Sequence, residues 1–257
     1  MYLCLDVGNS QIHGGIFHNG KMKLDFRLNT KQGWSSDQLG VMLRAVLREK
    51  NLSHDAIEKV AISSVVPSID HHLKNACIKY FSKAPFFVKA GVKTGLSVNR
   101  FKNPNEIGAD LIASAVCAAD DFPDHNLIVV DMGTANTICA INKDREFLGG
   151  IITPGTNTQM DSLISSAEKL SAADIEKPKT YLGKTTANCL QSGIYYGQLG
   201  AMKYLIQNSI NEAFKGQKTL VVATGGFSRM FKNEDVFDHI VPDLVLRGIL
   251  KILAMNE

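Results

Sequence analysis

The chain has 257 residues, 45% of them hydrophobic, 7% aromatic and 21% charged, with 28 Lys+Arg against 25 Asp+Glu for a formal net charge of +3. That composition excludes a disordered, collagenous or disulfide-scaffold protein, and the length allows one large domain or two modest ones, of which two is the expectation. The positive surplus is small and dispersed, without the Lys/Arg run that nucleic-acid binding needs.

In chain order, Tyr2 to Val7 reads as a short buried strand that ends in the polar, glycine-containing turn Asp6-Val7-Gly8-Asn9-Ser10. Ile12 to His18 and Lys21 to Leu28 flank Asn19-Gly20, a strong hairpin signal. Ser35-Ser36-Asp37 opens a helix over residues 36–50, where Leu39, Leu43, Val46 and Leu47 recur at helical spacing. Val60 to Val66 is a β-branched run, Ile69 to Phe81 a helix and Pro85 to Lys89 a further strand. A helix from Asn105 to Asp121, entered at Pro104, joins this series to a second one. The second begins with the strand Leu127 to Val130, ends it in Asp131-Met132-Gly133-Thr134, and continues as the hairpin Thr137 to Asn142 and Glu146 to Ile152. Helices over 156–170 and 186–215, a strand Thr219 to Ala223 running into Thr224-Gly225-Gly226, and a helix Asp243 to Met255 complete the chain. The element order around Asp6 returns around Asp131, and internal repetition decides architecture. The expectation is an α/β protein of two similar halves, residues 1–112 and 113–257, sharing a large interface with a cleft between them.

Cys4, Cys77, Cys117, Cys139 and Cys189 are widely separated and form no C-x-x-C pair, so they read as small hydrophobes in a reducing cytosol. The amino terminus meets Asp6 before any signal-like apolar stretch can form, and no apolar run approaches the roughly 18 residues that span a bilayer. A cytoplasmic protein with neither membrane nor nucleic acid as partner is expected. The seven histidines never fall at metal-ligand spacing and read as surface or turn residues. Trp34 reads as a polar-loop residue able to cap a surface groove.

The chemistry-bearing pattern is the pair of Asp-x-Gly turns. Backbone N–H groups converging at such a turn bind anions, and glycine removes the side chain that would block a phosphate. Either turn alone is as well explained as an ordinary strand exit with a solvated aspartate. Two at equivalent strand ends make a nucleotide-phosphate site with bound Mg²⁺ the better reading, with acidic groups to hold the cation. Thr224-Gly225-Gly226 adds a third backbone approach; in order, these elements suit the ATPases of the acetate and sugar kinase, Hsp70 and actin type. Neither a Walker A sequence nor the protein-kinase signatures occur. Asp110, in the first turns of its helix, reads by default as a dipole partner and functionally as a base toward a hydroxyl. The helix dipole is expected to hold its pKa low.

DVGNS at 6–10, NPNEIGAD at 103–110, DMGTANT at 131–137, GGIITPG at 149–155, GKTTANCLQSG at 183–193 and ATGG at 223–226 occur in the order found in bacterial type III pantothenate kinases. The chain resembles that family over essentially its whole length. The resemblance implies the duplicated actin-like ATPase (ribonuclease H-like) fold and the conversion of ATP and pantothenate to ADP and 4′-phosphopantothenate, the first step of coenzyme A synthesis. It implies a first ATP phosphate loop of Asp6, Val7, Gly8, Asn9, Ser10, Gln11, Ile12 and His13, with Asp6 near Mg²⁺. Asp110 matches the catalytic base, and Gly108, Ala109, Asp110 and Leu111 the pantothenate-contacting segment. Asp131 matches the ligand of a monovalent cation, K⁺ or NH₄⁺, and Thr134 an ATP phosphate contact, with Gly225 and Gly226 on the adenosine side. Thr186 matches a threonine that reaches pantothenate from the partner subunit of a homodimer, and Phe101 falls where the family commonly has a substrate-contacting tyrosine.

Three positions depart from the pattern. Leu111 stands where the family has arginine, which removes a cation and up to five donors. Phe101 lacks the tyrosine hydroxyl. Asn136 replaces a threonine in the second loop, where its amide is expected to serve phosphate oxygens instead. These departures raise two alternatives: a degenerate nucleotide-binding paralogue with a regulatory or interaction role, and a kinase for another small hydroxylated substrate. Active pantothenate kinase stands ahead because Asp6, Asp110 and Asp131 are all present.

Overall fold

A computed structural model describes residues 1–30, 33–166 and 174–257. Its elements are β1 (Tyr2–Val7), β2 (Gln11–His18), β3 (Lys21–Asn29), α1 (Ser36–Glu49), β4 (Lys59–Ser64), α2 (Pro67–Phe81), β5 (Phe86–Phe87) and α3 (Ala109–Asp121). They continue with β6 (Asn126–Met132), β7 (Ala135–Ile141), β8 (Phe147–Pro154), α4 (Thr156–Ser166), α5 (Thr186–Phe214), β9 (Thr219–Thr224), β10 (His239–Ile240) and α6 (Leu244–Met255).

Two five-stranded sheets form, ordered β3-β2-β1-β4-β5 and β8-β7-β6-β9-β10. Their plans are the same. In each, the first strand pairs antiparallel with the second and parallel with the fourth, so Asp6 faces His13 and Ser63 in register while Asp131 faces Thr137 and Thr224. The chain divides into two compact units: Met1–Leu96, Asn103–Cys117 and Leu244–Glu257 form the first, Ser97–Lys102 and Ala118–Asp243 the second. The expected boundary at 112/113 lies within α3, and α6 belongs to the first unit.

Within the first unit, Leu3, Leu5 and Val7 of β1 pack with Leu39, Leu43 and Leu47 of α1 and with Leu73 and Cys77 of α2. α1 starts where expected because Ser35 and Gln38 cap reciprocally: Gln38 N–H donates to Ser35 Oγ at 3.2 Å and Ser35 N–H to Gln38 Oε1 at 2.9 Å. α6 covers the other sheet face, where an added Cβ on Gly15 would lie 3.0 Å from Leu246 Cδ1. Within the second unit, Ile128, Val130 and Met132 of β6 pack against Tyr195, Leu199, Met202 and Ile206 of α5.

Several expectations are corrected. The helix read over 105–121 is broken: a single 3₁₀ turn, Pro104–Glu106, is capped by the Asn103 side chain, and Ile107 is extended (φ −74°, ψ 122°) before α3 begins. Of the helix expected over 156–170, α4 covers Thr156–Ser166, and 167–170 lies outside the described residues. Trp34 packs against the first core instead of capping a surface groove. Four cysteines are buried, but Cys189 is exposed on α5. Among the described residues, no helix is long and apolar enough to cross a membrane.

α3 and α6 approach with no room for a methyl group, since a Cβ on Gly248 would sit 1.9 Å from Ala113 O. Gly248→Ala is expected to lower stability by about 1–3 kcal/mol, read as a lower denaturant midpoint.

Candidate active site

In the first unit, β1 leaves the core between two buried anchors, Val7 and Ile12, while Asn9, Ser10 and Gln11 are exposed. Gly8 N–H donates to Gln11 O at 3.0 Å and closes the turn. Thr30 holds it from behind: its Oγ1 donates to Gly8 O at 2.7 Å and its N–H to Ser10 O at 2.9 Å. No motif marks Thr30 as the brace of this turn. Its only sequence signal is position, one residue past the strand that the Asn19-Gly20 hairpin brings beside Gln11.

His13 is buried, which corrects its reading as a surface or turn residue. Burial pushes its pKa down to about 4, with Arg27 acting in the same direction and Asp25 opposing. Its Nε2 lies 3.8 Å from Asp25 Oδ2, beyond hydrogen-bonding distance. At neutral pH the loop therefore carries a neutral imidazole.

Asp110 lies in the first turn of α3, also in the first unit. The carboxylate folds back over Gly108, where a Cβ would lie 2.4 Å from Asp110 Oδ1, so glycine is required there for space. Leu111 N–H donates to the same oxygen at 2.8 Å. The expectation of a low pKa is corrected: desolvation raises it, and that effect outweighs the opposing hydrogen bonds from the Leu111 and Asp110 N–H groups. Leu111 is half-buried and contacts the Asp110 carboxylate through its main chain, independently of its side chain.

The second unit brings three segments to one place. Gly133 N–H donates to Ala135 O at 3.1 Å, the counterpart of the Gly8 turn. Gly155 N–H and Thr158 Oγ1 both donate to Thr134 O, at 3.0 and 2.6 Å, and a Cβ on Gly155 would be 2.1 Å from Gly133 O. Gly225, at φ +87°, approaches from β9 so closely that a Cβ would lie 2.5 Å from Asp131 Oδ1 and from Met132 N. Gly226 has open space beside it. Asn136 is corrected: it is buried, and its Nδ2 donates to Gln198 Oε1 at 2.6 Å, while Gln198 Nε2 donates to Pro154 O at 3.1 Å. Its amide donor is committed to holding α5 against β7 and β8, not to phosphate. Phe101, in the second unit, packs edge-on against Phe147 with centroids 5.9 Å apart. Thr186 is exposed at the first turn of α5, just after the capping Thr185.

Single carboxylates at two strand ends suit magnesium bound with a nucleotide, since that ion takes one or two carboxylates and completes its shell with phosphate and water. Beside Asp6 in register, the buried Ser63 hydroxyl is without a hydrogen-bond partner among the described residues, so the donor set at that strand end has unused capacity.

A sheet plan built twice, each copy with an aspartate at the exit of its first strand and a glycine turn after it, defines the phosphotransferases and ATPases of the actin-like fold. Solved structures share that fold. A Baf family transcriptional activator from Campylobacter jejuni matches with a TM-score of 0.59 at 22% identity over 99% of this chain and 98% of its own. A 2-dehydro-3-deoxygalactonokinase from Sinorhizobium meliloti matches with a TM-score of 0.56 at 12% identity over 98% of each chain. Within the fold, the chain belongs to the type III pantothenate kinases, whose family model matches residues 2–208. The type III pantothenate kinase of Legionella pneumophila (strain Corby) is 50% identical over 256 residues, covering 100% of this chain and 99% of that protein.

The unfolded chain protonates His13 near its ordinary pKa of 6.5, the native chain only near 4, so this group's contribution is full above that window and is lost as pH falls through it. His13→Gln is expected to flatten the decline of the urea midpoint on acidification across the same range. A decline as steep as the parent's would show that His13 does not set it.

Proposed function

We propose that the chain phosphorylates pantothenate with ATP, as its family does, and that Asp110 takes the proton of the accepting hydroxyl. The observation carrying the assignment of the base is the Asp110 carboxylate folded back over Gly108 at the start of α3 and desolvated by burial, which raises its pKa above the ordinary value. The hydroxyl oxygen forms its bond to the γ-phosphorus as the bond from that phosphorus to the β,γ-bridging oxygen breaks. ADP leaves, and the hydroxyl proton passes to Asp110. Magnesium, held at Asp6 with the nucleotide, would supply charge neutralisation on the phosphate oxygens.

The turns support the division of labour. Asp6 to His13 run through a strand exit closed by Gly8 and braced by Thr30, and Asp131, Thr134, Gly225 and Gly226 lie at a second strand exit with close backbone approach. We assign Asp131 to the monovalent cation, K⁺ or NH₄⁺, and one phosphate turn to each of the two compact units. We assign Gly108 to Leu111 of the first unit to pantothenate and, on the family pattern alone, Phe101 of the second. Leucine at 111 is compatible with turnover because the bond it gives Asp110 comes from the main chain.

We further assign a homodimer, in which Thr186 completes the partner's pantothenate site. In α5 the face opposite the core exposes Gly193, Gly197 and Gly200, each with open space beside it, and Tyr204 is 70% exposed. Ile152 and Leu182, also in the second unit, are 71% and 84% exposed. A small-residue helix face with exposed large apolar neighbours suits close approach by a second copy. None of the five cysteines is joined in a disulfide, which supports a reducing cytoplasmic setting.

Two measurements test these assignments. Asp110→Asn is expected to lower kcat in a coupled ADP assay by about 10²–10⁴-fold while ATP-induced thermal stabilisation is retained. The native carboxyl holds its proton to higher pH than the unfolded one, so its ionisation opposes folding and stability falls as pH rises from the ordinary value of 3.8. The same variant should therefore be at least as stable as the parent at neutral pH. Retained turnover would refute the base assignment. Tyr204→Glu is expected to convert the dimer to monomer in sedimentation velocity and to abolish turnover without abolishing ATP binding; an unchanged dimer would overturn the interface.

A further inference from the structure

Ser63 is wholly buried, and its hydroxyl has no hydrogen-bond partner among the described residues. A polar group in that state costs folding free energy, so its presence needs a reason other than packing. The register supplies one. Ser63 is the direct partner of Asp6 across the parallel pair β1 and β4, and paired residues project from the same sheet face. Two residues earlier on that face, Cys4 lies between Gly15 and Ala61, in the region where Leu246 of α6 meets Gly15. Ser63 and Asp6 therefore share the carboxyl-end margin of an otherwise apolar, helix-covered face.

The second sheet repeats the arrangement. Asp131 has Thr224 as its direct partner across the parallel pair β6 and β9, and Thr224 is also buried. Each candidate phosphate-site aspartate thus has a buried hydroxyl residue beside it on the parallel strand. In the first sheet that hydroxyl is unsatisfied.

Resting on the reading of Asp6 as the residue that holds magnesium with the nucleotide, we propose that Ser63 is a positioning residue for Asp6. When magnesium and ATP bind, the Ser63 hydroxyl donates to the Asp6 carboxylate or to a water of the ion's shell and fixes the carboxylate for metal binding. The hydroxyl's lost hydration is recovered only in that state. Ser63 touches no reacting atom and forms no covalent bond.

The experiment uses the full chain and its thermal unfolding, with and without ATP, across a MgCl₂ titration. Ser63→Ala is expected to unfold, ligand-free, at the parent's temperature or about 2–4 °C above it, because an unsatisfied hydroxyl has been removed. The same variant should require about five- to tenfold more Mg²⁺ for half-maximal ATP-dependent stabilisation, the effect of one hydrogen bond, and should raise KM for ATP more than it lowers kcat. Ser63→Thr, which installs the residue type found beside Asp131, should keep the parent's Mg²⁺ requirement. An unchanged requirement in Ser63→Ala would overturn the proposal, as would a ligand-free destabilisation with no change in magnesium dependence, which would mark Ser63 as an ordinary packing residue. If the parent shows no magnesium-dependent stabilisation by ATP, or Asp6→Asn shows the same as the parent, the reading of Asp6 itself fails. A parent and Asp6→Asn that differ, with Ser63→Ala like the parent, reject only the role of Ser63.

Discussion

Each sheet depends on a first strand that is hydrogen-bonded on both edges and buried. β1 is paired antiparallel to β2 and parallel to β4, and β6 is paired in the same way to β7 and β9. A strand in that position accepts almost nothing but apolar residues until it reaches its carboxyl end, where the parallel partner also stops. Polar groups become tolerable there, and that is where Asp6 and Asp131 stand. The general tendency of α/β sheets to bind ligands beyond the carboxyl ends of their strands has the same origin.

Close backbone approach governs the turn after each aspartate. In the first unit the turn is braced from the far hairpin strand by Thr30, a hydroxyl reaching a carbonyl. In the second, Thr158 braces in the same way, its hydroxyl reaching the Thr134 carbonyl, and glycines add close approach: Gly155 to the Gly133 carbonyl and Gly225 to the Met132 backbone. Both turns are thus held by a hydroxyl on a carbonyl, and the second by close-packed glycines as well. Asp110 is built differently again, as a carboxylate folded onto its own helix start, so its basicity is set by a few adjacent residues.

Much of this was legible in the sequence. β1, α1, α2, α5 and α6 emerged from periodicity and cap residues because burial on one side imposes a spacing, and the repeat emerged from Asp-x-Gly recurring at strand ends. The Asp110 pKa was not legible, because helix dipole and desolvation oppose each other and only the burial of the carboxylate in the fold decides between them. Asn136 misled for a related reason: it follows a glycine turn in sequence, whereas it belongs to β7 and its partner Gln198 is 62 positions away. Ser63 and Thr30 carry no motif at all, and only register puts them beside Asp6 and Gly8.

The return of the last helix to the first unit bears on how the chain is made. The second unit is nearly continuous, from Ala118 to Asp243 with the short segment Ser97–Lys102, whereas the first lacks Leu244–Glu257 until synthesis reaches them. Until then, the sheet face that carries Cys4, Gly15 and Ala61 has no α6 to cover it. The first unit begins emerging from the ribosome earlier and is finished later, so an amino-terminal fragment ending before α6 would present an uncovered apolar sheet of the kind that chaperones recognise.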